Sequence, residues 1–242
     1  MTDIFEGYKT EVLKNDHSQR YPSLGLAIEP IDTTPRDHVR TIIDRDLGAA
    51  VELERIVDKT GLLIFRNMGL VTAGLEKRKI HGVDANQPFF FHSDYQVTEQ
   101  KYTTLETVGG PRISAETCFG DRAVLRPALL EFFSKRDNLA QYLSPWMDIA
   151  KSRNTVFDLE TMVDLFLNST NGPHDLMNDF VKFIGDRILR FKLRAGDFVV
   201  FSNAYIGEDS GLLHGRAKLD DVPETTDVVS MAFSNFRDVW SG

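Results

Sequence analysis

The pattern of apolar and polar positions changes character several times along the 242-residue chain. SLGLAIEPID (23–32) reads as a short strand closing on a Pro turn. TPRDHVRTIIDRDL (34–47) and AAVELERIVDKTG (49–61) carry apolar residues at helical spacing, and Gly61 stands where helices commonly end. GLLIFRNM (61–68) then has the length and unbroken apolar run of a buried strand. FFFHSDYQ (89–96) begins as another such run and ends abruptly in polar residues. KYTTLETVGGPRISAETCFGDRAVL (101–125) is β-like, with a Gly109-Gly110-Pro111 turn between two strand-like segments. Helical spacing takes over in RPALLEFFSKRDNLAQYL (126–143) and again over roughly 158–168 and 174–188. The character then flips back in RILRFKLRAGDFVVFSNAYIGEDSGLLHGRAKL (187–219) and TTDVVSMAFSNFRDVW (225–240).

Strand-like blocks at about 61–125 and 187–240 thus flank a helical insertion at about 126–188. Neither block is large enough to bury its own faces, so the two must pair with each other. The arrangement predicts an α+β fold, a double-stranded β-helix (jelly-roll) core with flanking helices and a helical insertion. With no Pro/Gly/Ser-rich linker and no internal repeat, residues 1–242 are expected to form a single domain.

Composition narrows the function classes. The formal charge of −8 and the lack of a basic run argue against a nucleic-acid partner. No window approaches 18 uninterrupted apolar residues, so no membrane span is expected. The N-terminus lacks a basic-then-apolar signal pattern, which makes a cytoplasmic location the default expectation. The single Cys118 rules out an internal disulfide framework or a cysteine-rich metal cluster and reads as a small buried hydrophobe. Seventeen phenylalanines imply an interior built on aromatic packing. Nothing in the pattern specifies an oligomeric state.

Candidate chemistry begins at the polar end of FFFHSDYQ. Strand alternation would turn His92 and Asp94 to one side, offering one nitrogen and one oxygen ligand to a divalent metal. A hydrogen-bonded pair at a strand end explains the same two residues. Of the other histidines, His17 and His38 lie in polar N-terminal segments, and His81 and His174 near Gly or Pro in expected surface loops. His214 sits in GLLHGRAK within the returning strand block, with Arg216 on its face; a solvated basic patch is the bland alternative. GDFVVFSN is expected one hairpin upstream of it. Phe89 and Phe91 should share one face and Phe90 the other, with one ring a possible cavity wall. Tyr95, Gln96 and Asn203 are further candidate lining groups, and 205–211 a candidate loop at a site mouth.

Together these motifs resemble the non-haem iron(II), 2-oxoglutarate-dependent dioxygenases, in particular their taurine-dioxygenase-like branch. The likeness rests on FHSDY (91–95), VGGPRISAETCFGDRAVL (108–125), LRAGDFVVFSN (193–203) and HGR (214–216), and covers about residues 60–238. It implies that His92, Asp94 and His214 hold Fe(II), with positions left for 2-oxoglutarate and O2. It also implies that Thr117 touches 2-oxoglutarate, although a packed strand threonine with a satisfied hydroxyl explains that residue equally well. The carboxylate of Asp94 resembles hydroxylases and desaturases; halogenating relatives lack it. One position departs from the pattern. Where the family carries an Arg for the far carboxylate of 2-oxoglutarate, TTDVV (225–229) offers no cation and places Asp227. Arg216, Arg112 and Arg237 are the substitutes, with Arg216 preferred for sharing a face with His214.

The implied activity is hydroxylation or desaturation of a small-molecule substrate, a polar metabolite such as an amino acid or derivative. Two alternatives stand beside it: an iron oxygenase of the same fold that does not use 2-oxoglutarate, and a non-catalytic jelly-roll binding protein.

Overall fold

The computed structural model of the chain describes residues 4–14, 17–18, 21, 24–32, 34–35, 37–46, 48–68, 78–79, 88–93, 101–109, 115–136, 158–168, 172–203, 211–218, 226–233 and 236. They form a mixed α/β protein with two sheets and flanking helices. An antiparallel pair, β1 (Tyr8–Val12) and β2 (Leu26–Pro30), opens the chain. The sequence pattern did not suggest β1, since only its first residue is buried and the rest face solvent. Helix α1 (His38–Arg45) starts at Asp37, whose carboxylate accepts from the Arg40 N–H. Helix α2 (Ala49–Thr60) stops at Gly61, which adopts φ 77° and returns its N–H to the Val57 carbonyl. The chain then enters β3 (Leu62–Phe65), buried throughout.

The remaining strands are β4 (Arg78–Lys79), β5 (Phe89–His92), β6 (Tyr102–Gly109), β7 (Ala115–Asp121), β8 (Leu189–Phe191), β9 (Phe198–Ser202), β10 (Leu212–Lys218) and β11 (Thr226–Phe233). Among the described residues, the helices between β7 and β8 are α3 (Arg122–Ser134), α4 (Leu159–Leu167) and α5 (Met177–Ile184). A 3-10 turn at His174–Leu176 leads into α5.

One sheet has the strand order β1-β2-β3-β9-β6-β11-β4 and the other β5-β10-β7-β8. Among the described pairings, every strand of the 61–125 block bonds to one or two strands of the 187–240 block and to none of its own. From β4 to β7 and again from β8 to β11 consecutive strands alternate between the sheets, whereas β7 and β8 pair within the small one. Thus β6 and β7 do not form a hairpin about the Gly-Gly-Pro segment, of which 110–114 lie outside the described residues. Likewise β9 is not the hairpin partner of β10. The chain changes sheets between them, and an isolated bridge joins Asn203 to Leu212.

Helix α3 begins at Arg122, a turn earlier than the apolar spacing suggested. Asp121 caps it by accepting from the Ala123 N–H, and Pro127 falls inside the helix rather than near its start. The cap satisfies a donor that the helix end would otherwise leave bare, and burial of Leu125, Leu129, Phe132 and Phe133 offsets the cost of the proline.

Three apolar clusters mark the layers. α1 and α2 cover the outer face of the large sheet, packing Val39, Ile42, Leu53 and Val57 on Phe65, Phe198 and Val200. Helices α3 to α5 cover the outer face of the small sheet, with Leu129, Phe133, Phe166 and Phe180 on Phe90, Phe91, Cys118 and Leu213. Between the sheets lie Leu62, Ile64, Leu105, Phe119, Val199, Phe201 and Leu212. At 25 cal/mol per Å² or so, such burial on both sides of each sheet supplies the main driving force for the fold. No helix among the described residues is long and apolar enough to cross a membrane.

Candidate metal centre

In the small sheet β10 runs antiparallel between β5 and β7. Its His214 stands directly opposite His92 of β5 and Phe119 of β7. The two imidazoles are 4.2 Å apart between ring centroids, and each is only 7% exposed. Directly opposed residues of one ladder have Cβ atoms about 5 Å apart. Their ring nitrogens can therefore converge on a common point.

The face they share looks into the gap between the sheets. Phe119 belongs to the cluster between the sheets, and its ring centroid lies 6.3 Å from that of His214; the Phe201 ring, from the opposite sheet, lies 4.8 Å away. Alternation puts Arg216 on the face of His214 and Thr117 on the face of Phe119. These two residues are themselves partners in register, one step along the ladder from the histidines. Thr117 is buried and Arg216 half-buried. The order on this face is thus a pair of imidazoles, then a hydroxyl beside a guanidinium.

A hydrogen bond fixes the chemistry of His92. Its Nδ1 lies 2.9 Å from the Phe90 carbonyl oxygen. A carbonyl can only accept, so Nδ1 carries the proton and Nε2 the lone pair. Metal-binding histidines characteristically donate one ring N–H to a carbonyl, carboxylate or water and coordinate through the other nitrogen.

Asp94 lies outside the described residues, as do Tyr95, Gln96, Arg112, Arg237, His81 and 204–210. Strand β5 ends at His92. Asp227 falls in β11 of the large sheet, its backbone paired with Val108.

The alternation expected of Phe89, Phe90 and Phe91 does not hold. β10 pairs His214 with His92 but Arg216 with Phe89, so Phe90 and Phe91 together span the interval opposite Gly215. This bulge turns both Phe90 and Phe91 toward the helices. Gly215 is required there, because a Cβ would stand 2.9 Å from the Phe89 carbonyl oxygen and 2.8 Å from the Met177 methyl. Phe89 is the ring that borders His92, 4.3 Å away between centroids.

Two histidines expected in polar or loop positions are structural instead. His38 is fully buried, edge-on to Tyr8, with Nε2 3.0 Å from the Asn67 carbonyl. His174 is half-buried; its ring stacks on Phe89 at 4.3 Å, and its Nδ1 accepts from the Phe90 N–H at 2.9 Å. No spacing in the sequence links residue 174 to residues 89 and 90, and only the packing of the insertion on β5 brings them together. Asn203 is buried and accepts from the Thr103 hydroxyl at 2.7 Å, tying β9 to β6.

Two buried groups away from the histidines have shifted acidities. Burial pushes the Cys118 thiol up to about 12, in keeping with its place on the helix-covered face away from the histidines. Burial also raises Asp197, although the Arg194 N–H and the Arg66 guanidinium, 2.5 Å away, both pull the other way.

No protein-family model matches the chain, and no curated protein does. Similar solved structures include AAD-2 in complex with Mn(II) and N-oxalylglycine, 13% identical, with a TM-score of 0.47 over 93% of this chain and 97% of that one. They also include a taurine dioxygenase from Burkholderia xenovorans, 10% identical, with a TM-score of 0.42 over 95% of this chain and 90% of that one.

Proposed function

We propose that this protein is an iron(II)- and 2-oxoglutarate-dependent dioxygenase on a double-stranded β-helix core, acting on a small polar metabolite such as an amino acid or derivative. The observation that carries the proposal is the ladder pairing of His92 with His214 on the inward face, one step from the pair of Thr117 and Arg216. The passage of strands β4 to β11 between two facing sheets supports the jelly-roll assignment. His92 and His214 fit a divalent metal by the 4.2 Å approach of their rings and by the proton on His92 Nδ1. Asp94 is the proposed third ligand on the grounds of the HxD motif.

Iron(II) bound there with 2-oxoglutarate would supply the activation of oxygen needed to oxidise a C–H bond. Thr117 and Arg216 would hold the far carboxylate of 2-oxoglutarate, the hydroxyl and guanidinium each donating to it. Phe119, Phe201 and Phe89 wall the histidines and exclude water, which strengthens every charge interaction inside.

A second reading, an iron oxygenase that does without 2-oxoglutarate, is favoured by Asp227, which stands where the family carries its arginine. Anaerobic titration with iron(II), with and without 2-oxoglutarate, separates the two. A weak visible charge-transfer band that grows only with both, together with release of succinate and carbon dioxide in air, is the expected result. Iron uptake without that band would establish the second reading; no iron uptake would refute both.

A further inference from the structure

The bulge residue Phe90 has both of its backbone polar groups taken by imidazoles. Its carbonyl accepts from His92 Nδ1, and its N–H donates to His174 Nδ1. A bulge leaves a backbone donor that the ladder does not use, and here a side chain of the helical insertion supplies the acceptor. The ring of His174 also stacks on Phe89, which in turn meets His92.

The contact is part of a wider grip. Four residues after His174, Asn178 clamps the end of β10: its Nδ2 donates to the Lys218 carbonyl at 2.6 Å, and its Oδ1 accepts from the Lys218 N–H at 2.9 Å. Between them, Met177 packs against Gly215 so closely that no Cβ would fit. Just before His174, a Cβ on Gly172 would meet the Phe90 side chain at 3.0 Å. The segment 172–178 therefore lies against the bulge and holds both strands that carry the opposed histidines.

We infer that His174 is a positioning residue for the candidate metal centre: by fixing the bulge at Phe90 it sets the orientation and tautomer of His92. This role rests on the proposed function for its purpose, but its geometry is testable in the metal-free protein. Without the His174 acceptor the peptide joining Phe89 to Phe90 would lose its anchor, and a turn there passes through φ and ψ of Phe90 to the next peptide, whose carbonyl holds the His92 proton.

Two substitutions separate the hydrogen bond from the stacking. His174→Asn places an amide oxygen at the same bond distance from the backbone as Nδ1 and keeps the acceptor. His174→Phe keeps the stacked ring and removes the acceptor. Two measurements on each, with melting curves to confirm folding, complete the test. One is long-range proton–nitrogen correlation of labelled histidines in the metal-free protein, and the other is anaerobic iron(II) titration. His174→Phe should leave His92 as a mixture of tautomers and weaken iron binding about 10-fold or more, the scale of an outer-shell loss at a metal site. His174→Asn should keep the Nδ1-protonated form and bind iron within about threefold of the parent, well short of that scale. The inference is overturned if His174→Phe changes neither measurement, or if His174→Asn loses as much as His174→Phe. Should the parent bind no iron while the tautomer contrast persists, the proposed function fails and the positioning of His92 stands.

Discussion

On β7 and β10, neighbouring residues face two different environments. Cys118, Leu213 and Ala217 point to helices α3 to α5 and belong to a buried apolar cluster. Thr117, Phe119, His214 and Arg216 point the other way, into the gap between the sheets, where apolar rings are interrupted by polar groups. One set of strands thus carries a stabilising face and a chemical face. The lesson is one of division of labour. Burying imidazoles and a hydroxyl costs free energy unless each is bonded, and the dry face behind them supplies the burial that offsets the cost. Burial on that rear face pushes the Cys118 thiol up to about 12.

The sharpest way to break this comparison is to remove one imidazole. His214→Ala should abolish iron(II) uptake, a larger loss than the roughly 10–100-fold of an outer-shell change, while the melting temperature stays close to that of the parent. Calorimetric titration and a thermal melt read the two effects separately. A large drop in melting temperature would mean that the inner face is structural after all.

On the rear face the outcome should reverse. Phe180 packs against Phe90, Phe91 and Phe132. Phe180→Ala should cost about 3–5 kcal/mol in denaturant unfolding, and the surviving folded protein should keep its iron affinity.

A third change tests a polar group whose role is structural. Arg66 pairs with the buried Asp197 where β9 begins, and the Asp197 carboxylate also accepts from the Arg194 N–H. Arg66→Met leaves that carboxylate without its cation and should destabilise by about 3–5 kcal/mol at pH 7. Burial already raises Asp197, so protonation is the easier escape. An aspartate with a raised folded value is more stable protonated, and the raised value lies above that of the unfolded chain. The deficit relative to the parent should therefore shrink as pH falls through the raised value, a trend that unfolding curves between pH 7 and pH 4 would follow.

The smallest effect belongs to Arg216. Arg216→Met should raise the KM for 2-oxoglutarate by roughly 10–100-fold, the loss of one hydrogen bond to a charged group, with iron affinity unchanged. An unchanged KM would move the co-substrate site elsewhere and strengthen the reading without 2-oxoglutarate.

Much of this was legible before any coordinates. Helix α2 and its stop at Gly61 followed from local spacing and one residue that tolerates positive φ. The pairing of the two strand blocks followed from their need to bury two faces each. The pattern failed where one local preference competed with another. Alternation suggested that Phe89 and Phe91 share a face, but the bulge opposite Gly215 sent Phe90 and Phe91 the same way. Helix α3 was placed a turn too late because apolar spacing alone set its start at 126, when Asp121 provides the cap. His174 read as a loop residue because its neighbours are Gly172 and Pro173, and its partners are more than eighty residues away.

What the sequence determined by itself was the set of groups capable of chemistry and the strands that carry them, since periodicity and residue type are local properties. The tertiary structure alone decided which of those groups meet. Register set His214 against His92 and Arg216 against Thr117, and one residue of slip in β10 would turn His214 and Arg216 to the helix-covered face. The long return of the chain from the helical insertion then laid His174 on a peptide whose free donor no local pattern could reveal.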